Sequence, residues 1–408
     1  MAKINPHYAK LGAGYLFPEI ARRTRSFLAE HPDATVMRLG IGDTTEVIPQ
    51  VILDGIRAAT DKLANPKTYS GYGDSEGQTP LREALARHYK TFGVDVPTSD
   101  IWISDGAKSD SANIQSIFAT DNVVAVQDPA YPVYVDSHVM SGRTGSAVQG
   151  CYEGLVYMPC TEENDFFPEL PDRKVDLIYI CSPNNPTGAV ATHEQLKMFV
   201  DYANEHKAII IFDSAYAAFI QDDSLPKSIY EIEGARSCAI EISSFSKYAG
   251  FTGVRLGWTI VPEELVAEGT QPGEVKALWT RRQNTFFNGA SNVVQGGGLA
   301  ALSDEGLAAC KKIIAYYMEN ASIIQAGLDS VGIKTFGGKN APYVWMKTPD
   351  GLGSWAFFDK LLDECNVVGT PGAGFGPSGE GYFRLSAFGH RDNVNTAVAS
   401  ITSNLKLG

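Results

Sequence analysis

Short apolar segments alternate with longer amphipathic ones through the middle of the chain. The apolar segments cover residues 101–104, 123–127, 177–180, 208–212 and 238–243, and polar residues or proline follow each of them. Runs of this length, bounded by turn residues, are typical of buried strands. Because helical segments lie between them, the pattern predicts an α/β fold with a mainly parallel sheet covered on both faces.

The helical segments carry their own start signals. A helix over 108–118 follows the Gly106 turn, and Thr192 with Gln195 forms a capping box that begins a helix ending near residue 205. A long helical stretch over 292–328 is predicted to be interrupted by the glycine run at 296–298.

The last third of the chain changes character. Strands at 343–346, 367–368 and 382–385 and a helix at 354–365 indicate a smaller α+β domain. We therefore expect an N-terminal segment over 1–45 that packs with the small domain, a large domain over 46–290 and the small C-terminal domain over 291–408.

Composition narrows the class of protein. The 408 residues are 44% hydrophobic and 20% charged, which argues against disordered and fibrous proteins. The formal net charge of −13 disfavours nucleic-acid and anionic-membrane partners. The sequence contains no apolar run long enough to span a bilayer, so we expect no membrane partner.

The six cysteines are scattered without C-x-x-C or zinc-ligand spacing. We therefore expect no metal and reduced, mostly buried thiols. Because the first residues lack a signal-peptide core, the expected location is the cytoplasm, or the plastid stroma if a transit peptide was removed in a photosynthetic eukaryote.

Polar side chains gather where the predicted strands end. Asn185, Asp213, Tyr216, Ser244 and Lys247 all fall at or just after carboxyl ends, and that edge of an open α/β sheet is where ligands bind. Each residue alone has an ordinary structural explanation, so the inference depends on their ordered combination. No G-x-G-x-x-G motif follows a strand, which argues against a nucleotide-binding Rossmann enzyme.

Four motifs carry a family resemblance. They are S-x-x-K at 244–247 with an arginine eight positions after the lysine, N-P-T-G at 185–188, D-x-x-Y at 213–216 and D-P-A-Y-P at 128–132. Together they resemble the fold-type I aminotransferases, which use pyridoxal 5′-phosphate (PLP). The resemblance implies a large domain with a mainly parallel seven-stranded sheet, a smaller α+β domain and PLP as the cofactor.

The resemblance also implies roles around the PLP ring. Lys247 would form the Schiff base and then carry the proton, which an arginine could not do because it stays protonated. Asp213 would pair with the ring nitrogen, while Tyr216 and Asn185 would hydrogen-bond the phenolic oxygen. Tyr131 would stack on the ring.

The PLP phosphate needs donors and positive charge. By resemblance these are the backbone N–H groups of Ala107 and Lys108 at a helix start, the Ser244 hydroxyl and the forked guanidinium of Arg255. Tyr72 corresponds to the family tyrosine that reaches the phosphate of the neighbouring subunit. The resemblance therefore implies a homodimer with shared active sites.

Within this fold type, the segments 14–23, 39–45, 72–77 and 104–110 resemble the LL-diaminopimelate aminotransferases. That family moves an amino group between LL-2,6-diaminopimelate and 2-oxoglutarate, with lysine biosynthesis as its context. Arg384 corresponds to the arginine that binds the substrate α-carboxylate, with Tyr131 and Asn185 also at the substrate. Gly42 corresponds to a glycine whose backbone lies close to it.

One pocket must then accept either a distal carboxylate or a distal carboxylate with an ammonium group. Glu76 is the candidate for the ammonium, and Tyr15, Lys108 and Asn288 are the candidates for the carboxylate. By resemblance, Glu76 and Asn288 come from the partner subunit.

Three alternatives remain open at this point. The same fold and cofactor could serve aromatic or alanine-type substrates, or a C–S lyase that works by β-elimination, and neither would need Glu76. A regulatory PLP-fold protein without turnover is disfavoured because no basic helix-turn-helix pattern precedes the fold and Lys247 is present.

Overall fold

The structure, a computed structural model, describes residues 1–11 and 16–407. The α-helices within these ranges are α1 (Leu16–Glu30), α2 (Gln50–Leu63), α3 (Thr79–Lys90), α4 (Ala107–Asn113), α5 (Val133–Met140), α6 (His193–His206), α7 (Glu274–Phe286), α8 (Asn292–Ala301), α9 (Asp304–Ser330), α10 (Ser354–Cys365) and α11 (Arg391–Asn404). The strands are β1 (Met37–Arg38), β2 (Ile101–Ser104), β3 (Val124–Asp128), β4 (Ala147–Val148), β5 (Cys151–Tyr152), β6 (Leu155–Pro159), β7 (Leu177–Cys181), β8 (Ile209–Asp213), β9 (Ala239–Ser244), β10 (Gly257–Ile260), β11 (Thr335–Gly337), β12 (Tyr343–Lys347), β13 (Val367–Val368), β14 (Thr370–Pro371) and β15 (Tyr382–Ser386).

The main sheet has seven strands in the order β2-β10-β9-β8-β7-β3-β6 within the described ranges. Its strands are parallel except β10, which pairs antiparallel with both β2 and β9. The predicted α/β fold with a mainly parallel seven-stranded sheet is therefore confirmed. Strands β6 and β10 were not predicted. In β10, Gly257 and Thr259 alternate with Trp258 and Ile260, so this strand lacks the continuous apolar run that marks β2.

The connection between β9 and β10 carries two of the predicted site residues. Ser244 and Gly257 are opposite each other in the register, so residues 245–256 form the closing loop of this hairpin. Phe245 donates its backbone N–H to Leu256 O at 3.1 Å, which draws the two ends of the loop together. Lys247 and Arg255 are held near opposite ends of this loop.

The C-terminal helical stretch differs from the prediction. The glycine run lies inside α8, and the break falls later, where Ser303 caps α9 by accepting the Gly306 N–H at 3.1 Å. The predicted interruption at the glycines is wrong because these positions serve close helix packing. A Cβ at Gly296 would lie 2.6 Å from the Cβ of Ala59 and 2.9 Å from Gly55 O in α2.

Two helix predictions near the sheet have different outcomes. The helix expected over 108–118 is shorter than predicted, since α4 gives way to a 3₁₀ turn at Ile114–Ile117. The capping box at the start of α6 is confirmed, because Thr192 and Gln195 exchange both side-chain-to-backbone hydrogen bonds.

A second, four-stranded sheet has the order β11-β12-β15-β14 in the described ranges and is antiparallel. Strand β1 pairs with β13 beside it, and Leu16 and Ile20 of α1 pack in the same apolar core as Trp345 and Leu385. The boundaries drawn near residues 45 and 290 stay a prediction.

Among the described residues, no helix combines the length and apolar character needed to cross a bilayer. All six cysteines are unpaired, and five of them are buried, as the sequence predicted.

Candidate active site

A cavity of about 520 Å³ opens at the carboxyl ends of the main-sheet strands. Loops after β2, β7, β8 and β9 meet there with residues that flank β1 and with the second sheet. The residues that line it are Phe17, Ile41, Gly42, Asp43, Ala107, Lys108, Tyr131, Tyr134, Cys181, Asn185, Asp213, Ala215, Tyr216, Ser244, Ser246, Lys247, Thr252, Arg255, Tyr343 and Arg384. The structure thus brings together most of the residues that the sequence placed at one site.

Lys247 supplies a primary amine to this cavity. Its Nζ donates a hydrogen bond to Gly42 O and lies 5.6 Å from the centre of the Phe388 ring. The pKa of Lys247 is lowered from 10.5 to about 8. Burial is the main cause, and the cations Arg384 and Arg255 add to it, while Asp43 and Asp213 act in the opposite direction. An amine with this pKa is partly unprotonated near neutral pH, so it can act as a nucleophile or as a base.

Asp213 ends β8 with both carboxylate oxygens engaged. Tyr134 donates its hydroxyl proton to Oδ2 at 2.7 Å, and the Ala215 backbone N–H binds Oδ1 at 3.0 Å. Burial raises the pKa of Asp213, and these two hydrogen bonds oppose the increase. The ring of Tyr134 also meets the Tyr131 ring edge-on at 5.9 Å, so one side chain contacts both the acid and the predicted ring-stacking residue.

Tyr216 pairs with a residue of the second sheet. Its hydroxyl lies 2.8 Å from the hydroxyl of Tyr343, and both side chains are buried. Burial raises the pKa of each phenol, which keeps both protonated at neutral pH. The site therefore holds a pair of hydroxyl groups able to donate a proton into the cavity.

Arg384 is a buried cation, with 1% of its surface exposed. Its guanidinium donates to Asn185 Oδ1 and to Gly40 O, both at 2.6 Å, and lies 4.4 Å from the centre of the Tyr343 ring. Among the described residues, the groups that accept hydrogen bonds from this guanidinium are all neutral. Its Nε atom has no hydrogen-bond partner there. Because burying an uncompensated charge is costly, this guanidinium is suited to a carboxylate ligand.

The start of α4 faces the second cation of the site. Gly106 has φ +135°, and a Cβ there would lie 2.4 Å from Nη2 of Arg255. Arg255 Nη1 donates to Thr252 O at 3.0 Å, which orients the guanidinium. The glycine therefore lets the guanidinium lie against the backbone just before Ala107 and Lys108, which places positive charge beside the N–H groups that begin α4.

The groups in this cavity match the chemical requirements of PLP. The cofactor needs an amine for its aldehyde, an acid for its ring nitrogen and donors for its phosphate. Lys247, Asp213 and Arg255 supply these functions in one cavity, and the absence of a Cβ at Gly106 lets the Arg255 guanidinium approach the start of α4. The residues present therefore fit PLP.

Three predicted residues lie outside this cavity in the same chain. Tyr72 is 91% exposed, Glu76 is bound through its backbone oxygen to the Ile103 N–H, and Asn288 is exposed. The loop that contains Asn288 lies beside the segment between Tyr72 and Glu76, because a Cβ at Gly289 would lie 3.2 Å from Asp74 O. Tyr15 lies outside the described residues.

Sequence reasoning missed Tyr134 and Tyr343. Tyr134 lies three positions after Tyr131 on the same turn, a spacing that could have placed it beside the site. Tyr343 begins a strand of the second sheet and reaches Tyr216 only through the packing of two sheets, so no local pattern marks it.

Comparison of the chain with known protein families and solved structures agrees with this geometry. A family model described as aminotransferase class I and II matches residues 34–401. The structure is similar to L,L-diaminopimelate aminotransferase from Chlamydomonas reinhardtii, with 49% identity, 98% of each chain covered and a TM-score of 0.92. It is also similar to substrate-bound BacF from Bacillus subtilis, with 26% identity, 98% of each chain covered and a TM-score of 0.84.

A third similar structure is an aromatic aminotransferase from Pyrococcus horikoshii, with 27% identity, 93% of this chain and 97% of that chain covered, and a TM-score of 0.78. The motifs, the cavity and the family match lead to one conclusion: this chain belongs to the class I and II aminotransferases, a PLP-dependent family, and is similar within it to LL-diaminopimelate aminotransferase.

Proposed function

We propose that this chain transfers an amino group between LL-2,6-diaminopimelate and 2-oxoglutarate, a reaction of lysine biosynthesis. As an aminotransferase it uses PLP and acts on small amino and keto acids. The observation that carries the proposed substrate is the similarity to LL-diaminopimelate aminotransferase, which extends over nearly the whole chain.

The chemistry follows from the groups in the cavity. When bound, PLP supplies an electron sink for the negative charge that develops at the substrate Cα. Lys247 Nζ would accept the proton from the substrate Cα and, as the ammonium group, donate it again, and burial favours the unprotonated amine that this exchange needs. Asp213 holds a proton on the ring nitrogen, and Tyr216 with Asn185 binds the phenolic oxygen.

The cofactor and substrate are held at separate cations. Arg255, Ser244 and the backbone N–H groups of Ala107 and Lys108 bind the phosphate, while Tyr131 stacks on the ring. Arg384 binds the α-carboxylate, supported by the absence of an acidic partner among the described residues. Gly42 lines the same cavity and offers its backbone to the substrate, and a side chain there is excluded because a Cβ would lie 2.4 Å from the Tyr343 hydroxyl.

The site is completed by a second copy of the chain in our proposal. Tyr69, Tyr72 and Phe286 are 64%, 91% and 77% exposed, an unusual set of aromatic side chains to leave in water. A homodimer that covers them would bring Tyr72, Glu76 and Asn288 toward the partner's cavity.

The distal end of the substrate sets the specificity. Glu76 pairs with the distal ammonium of diaminopimelate, whereas Tyr15, Lys108 and Asn288 bind a distal carboxylate. A mixed set of this kind accepts both amino acids, since a lone arginine would leave the second ammonium unpaired.

The test is a panel of amino donors, namely LL- and meso-diaminopimelate, aromatic amino acids and alanine, each with 2-oxoglutarate, with glutamate formation as the readout. We expect LL-diaminopimelate to give the highest kcat/KM and Lys247→Ala to abolish glutamate formation with every donor. A higher kcat/KM with an aromatic donor would overturn the proposed substrate. Sedimentation should give a dimer, and an active monomer would contradict the shared site.

The proposed location is a reducing compartment, the cytoplasm or the plastid stroma. The six described cysteines support it, because none forms a disulfide bond.

A further inference from the structure

Tyr343 contacts three residues to which the proposed function assigns separate tasks. Its hydroxyl lies 2.8 Å from the Tyr216 hydroxyl, and its ring lies 4.4 Å from the Arg384 guanidinium carbon. The same hydroxyl occupies the space that a side chain at Gly42 would need. With 1% of its surface exposed, Tyr343 has little freedom to move away from these neighbours.

The direction of the hydrogen bond between the two phenols follows from counting protons. Each hydroxyl has one proton to donate, and burial raises the pKa of both Tyr216 and Tyr343, so neither is ionised at neutral pH. If Tyr216 donates its proton to the phenolic oxygen of the cofactor, it has none left for Tyr343. Tyr343 must then be the donor in this pair.

We propose that Tyr343 is a positioning residue: its hydroxyl donates to Tyr216 and thereby directs the Tyr216 proton toward the phenolic oxygen of PLP. A hydroxyl that accepts a hydrogen bond becomes a stronger donor, so the Tyr343 hydroxyl strengthens the contact that Tyr216 makes. The inference rests on the proposed cofactor role of Tyr216 and adds a residue of the second sheet to it.

The ring of Tyr343 has a separate task. It lies beside the Arg384 guanidinium, an arrangement in which the aromatic face stabilises the cation. Removal of the hydroxyl alone therefore leaves the carboxylate contact in place, whereas removal of the ring weakens it. The two tasks can be measured with two different variants.

The first measurement is a pH titration of the visible absorbance of the holoenzyme, without substrate. A hydrogen bond donated to the phenolic oxygen stabilises its negative charge, so weakening that bond makes the chromophore hold its proton more strongly. Tyr343→Phe is expected to raise the midpoint by about half a pH unit to one unit, which is the size expected for one weakened hydrogen bond. Tyr216→Phe should raise it at least as much.

The double variant decides whether the effect passes through Tyr216. In the Tyr216→Phe background, Tyr343→Phe should leave the midpoint unchanged, because the hydroxyl it serves is gone. Tyr179→Phe is the matched control, since Tyr179 is a buried phenol whose hydroxyl donates to Ser111 O at 3.2 Å and which does not line the cavity. The visible absorbance of Tyr179→Phe should have the same titration midpoint as that of the parent holoenzyme.

Comparison of kcat with the glutamate KM distinguishes the role of the Tyr343 ring from that of its hydroxyl. Tyr343→Phe should lower kcat about threefold to tenfold and change the glutamate KM less than about twofold, whereas Tyr343→Leu should also raise that KM by about fivefold. Equal midpoints for Tyr343→Phe and the parent holoenzyme would overturn the inference, as would additive shifts in the double variant. A parent protein that binds no PLP and shows no visible band would instead overturn the proposed function.

Discussion

Tyr134 donates the hydrogen bond that fixes Asp213 Oδ2, at 2.7 Å in a buried environment. The second oxygen is held by the Ala215 N–H, so the orientation of the carboxylate is set from two directions. This arrangement keeps the acid in place even before a ligand pairs with it.

Replacement of that acid should remove the proton from the ring nitrogen. We expect Asp213→Asn to lower kcat at least about a hundredfold, because the neutral amide cannot stabilise a positive ring. Steady-state assays of glutamate formation measure this. Asp223→Asn is the control, since the Asp223 side chain is 96% exposed and lies outside the cavity. An unchanged kcat in Asp213→Asn would remove the proposed role.

Attachment of PLP to the apoenzyme should follow the titration of Lys247. Its pKa is lowered from 10.5 to about 8 in the folded chain, so the reactive unprotonated fraction is about a tenth at pH 7 and rises with pH. The rate at which the visible band appears on mixing should have its midpoint near pH 8. A rate that still climbs steeply above pH 10 would show an ordinary lysine.

The same lowered pKa affects the stability of the apoenzyme. Between pH 8 and 10.5 the unfolded chain binds a proton at this position that the folded chain does not, so this residue's contribution makes folding more favourable as the pH rises. Urea unfolding of the parent and of Lys247→Met across this range measures the contribution. If the free energies of unfolding of the parent and of Lys247→Met changed equally with pH, the proposed contribution of Lys247 would be contradicted.

Arg384→Lys should weaken substrate binding. A lysine cannot form the two parallel hydrogen bonds of a guanidinium with a carboxylate, so we expect KM for both glutamate and diaminopimelate to rise about tenfold to a hundredfold. Arg57→Lys, on an exposed arginine of α2, is the control. If only one of the two substrates were affected, Arg384 would bind the distal end and not the shared α-carboxylate.

Glu76→Gln should separate the two substrates. Loss of the carboxylate removes the partner of the distal ammonium, which diaminopimelate has and glutamate lacks. We expect kcat/KM for LL-diaminopimelate to fall about tenfold or more and that for glutamate to change less than about threefold. Glu83→Gln, an exposed acid on α3, provides the comparison. Equal losses with both substrates would refute the assignment.

The contact between α2 and α8 should be sensitive to a single methyl group. A Cβ at Gly296 would lie 2.6 Å from the Cβ of Ala59, so we expect Gly296→Ala to destabilise the chain by about 1–3 kcal/mol despite the higher helix propensity of alanine. Gly253→Ala, where no atom lies within 4 Å of the added Cβ, should cost much less. Denaturant unfolding of both variants tests this, and equal stabilities would show that the helices can separate freely.

The strands and the strand-end residues could be predicted because their signals are local. A buried strand shows as a short apolar run, and Asn185, Asp213 and Lys247 follow such runs within motifs of four residues. Parallel strands then place these residues at one edge without further information.

Contacts between distant segments could not be predicted in the same way. The hydroxyl pair of Tyr216 and Tyr343 joins residues 127 positions apart, and its geometry depends on how two sheets pack. The poor helix propensity of glycine predicts a break at the glycine run, whereas in the structure these small residues permit the close approach of α2 to α8.

The hairpin of β9 and β10 places Lys247 and Arg255 on one loop of twelve residues, closed at its base by the pairing of Ser244 with Gly257. Under the proposed function, the residue that binds the cofactor covalently and the arginine that binds its phosphate therefore lie on the same short segment. If both residues bind it as proposed, local opening of this one segment would free both contacts together, and vitamin B6 could leave and rebind while the sheet behind the loop stays folded.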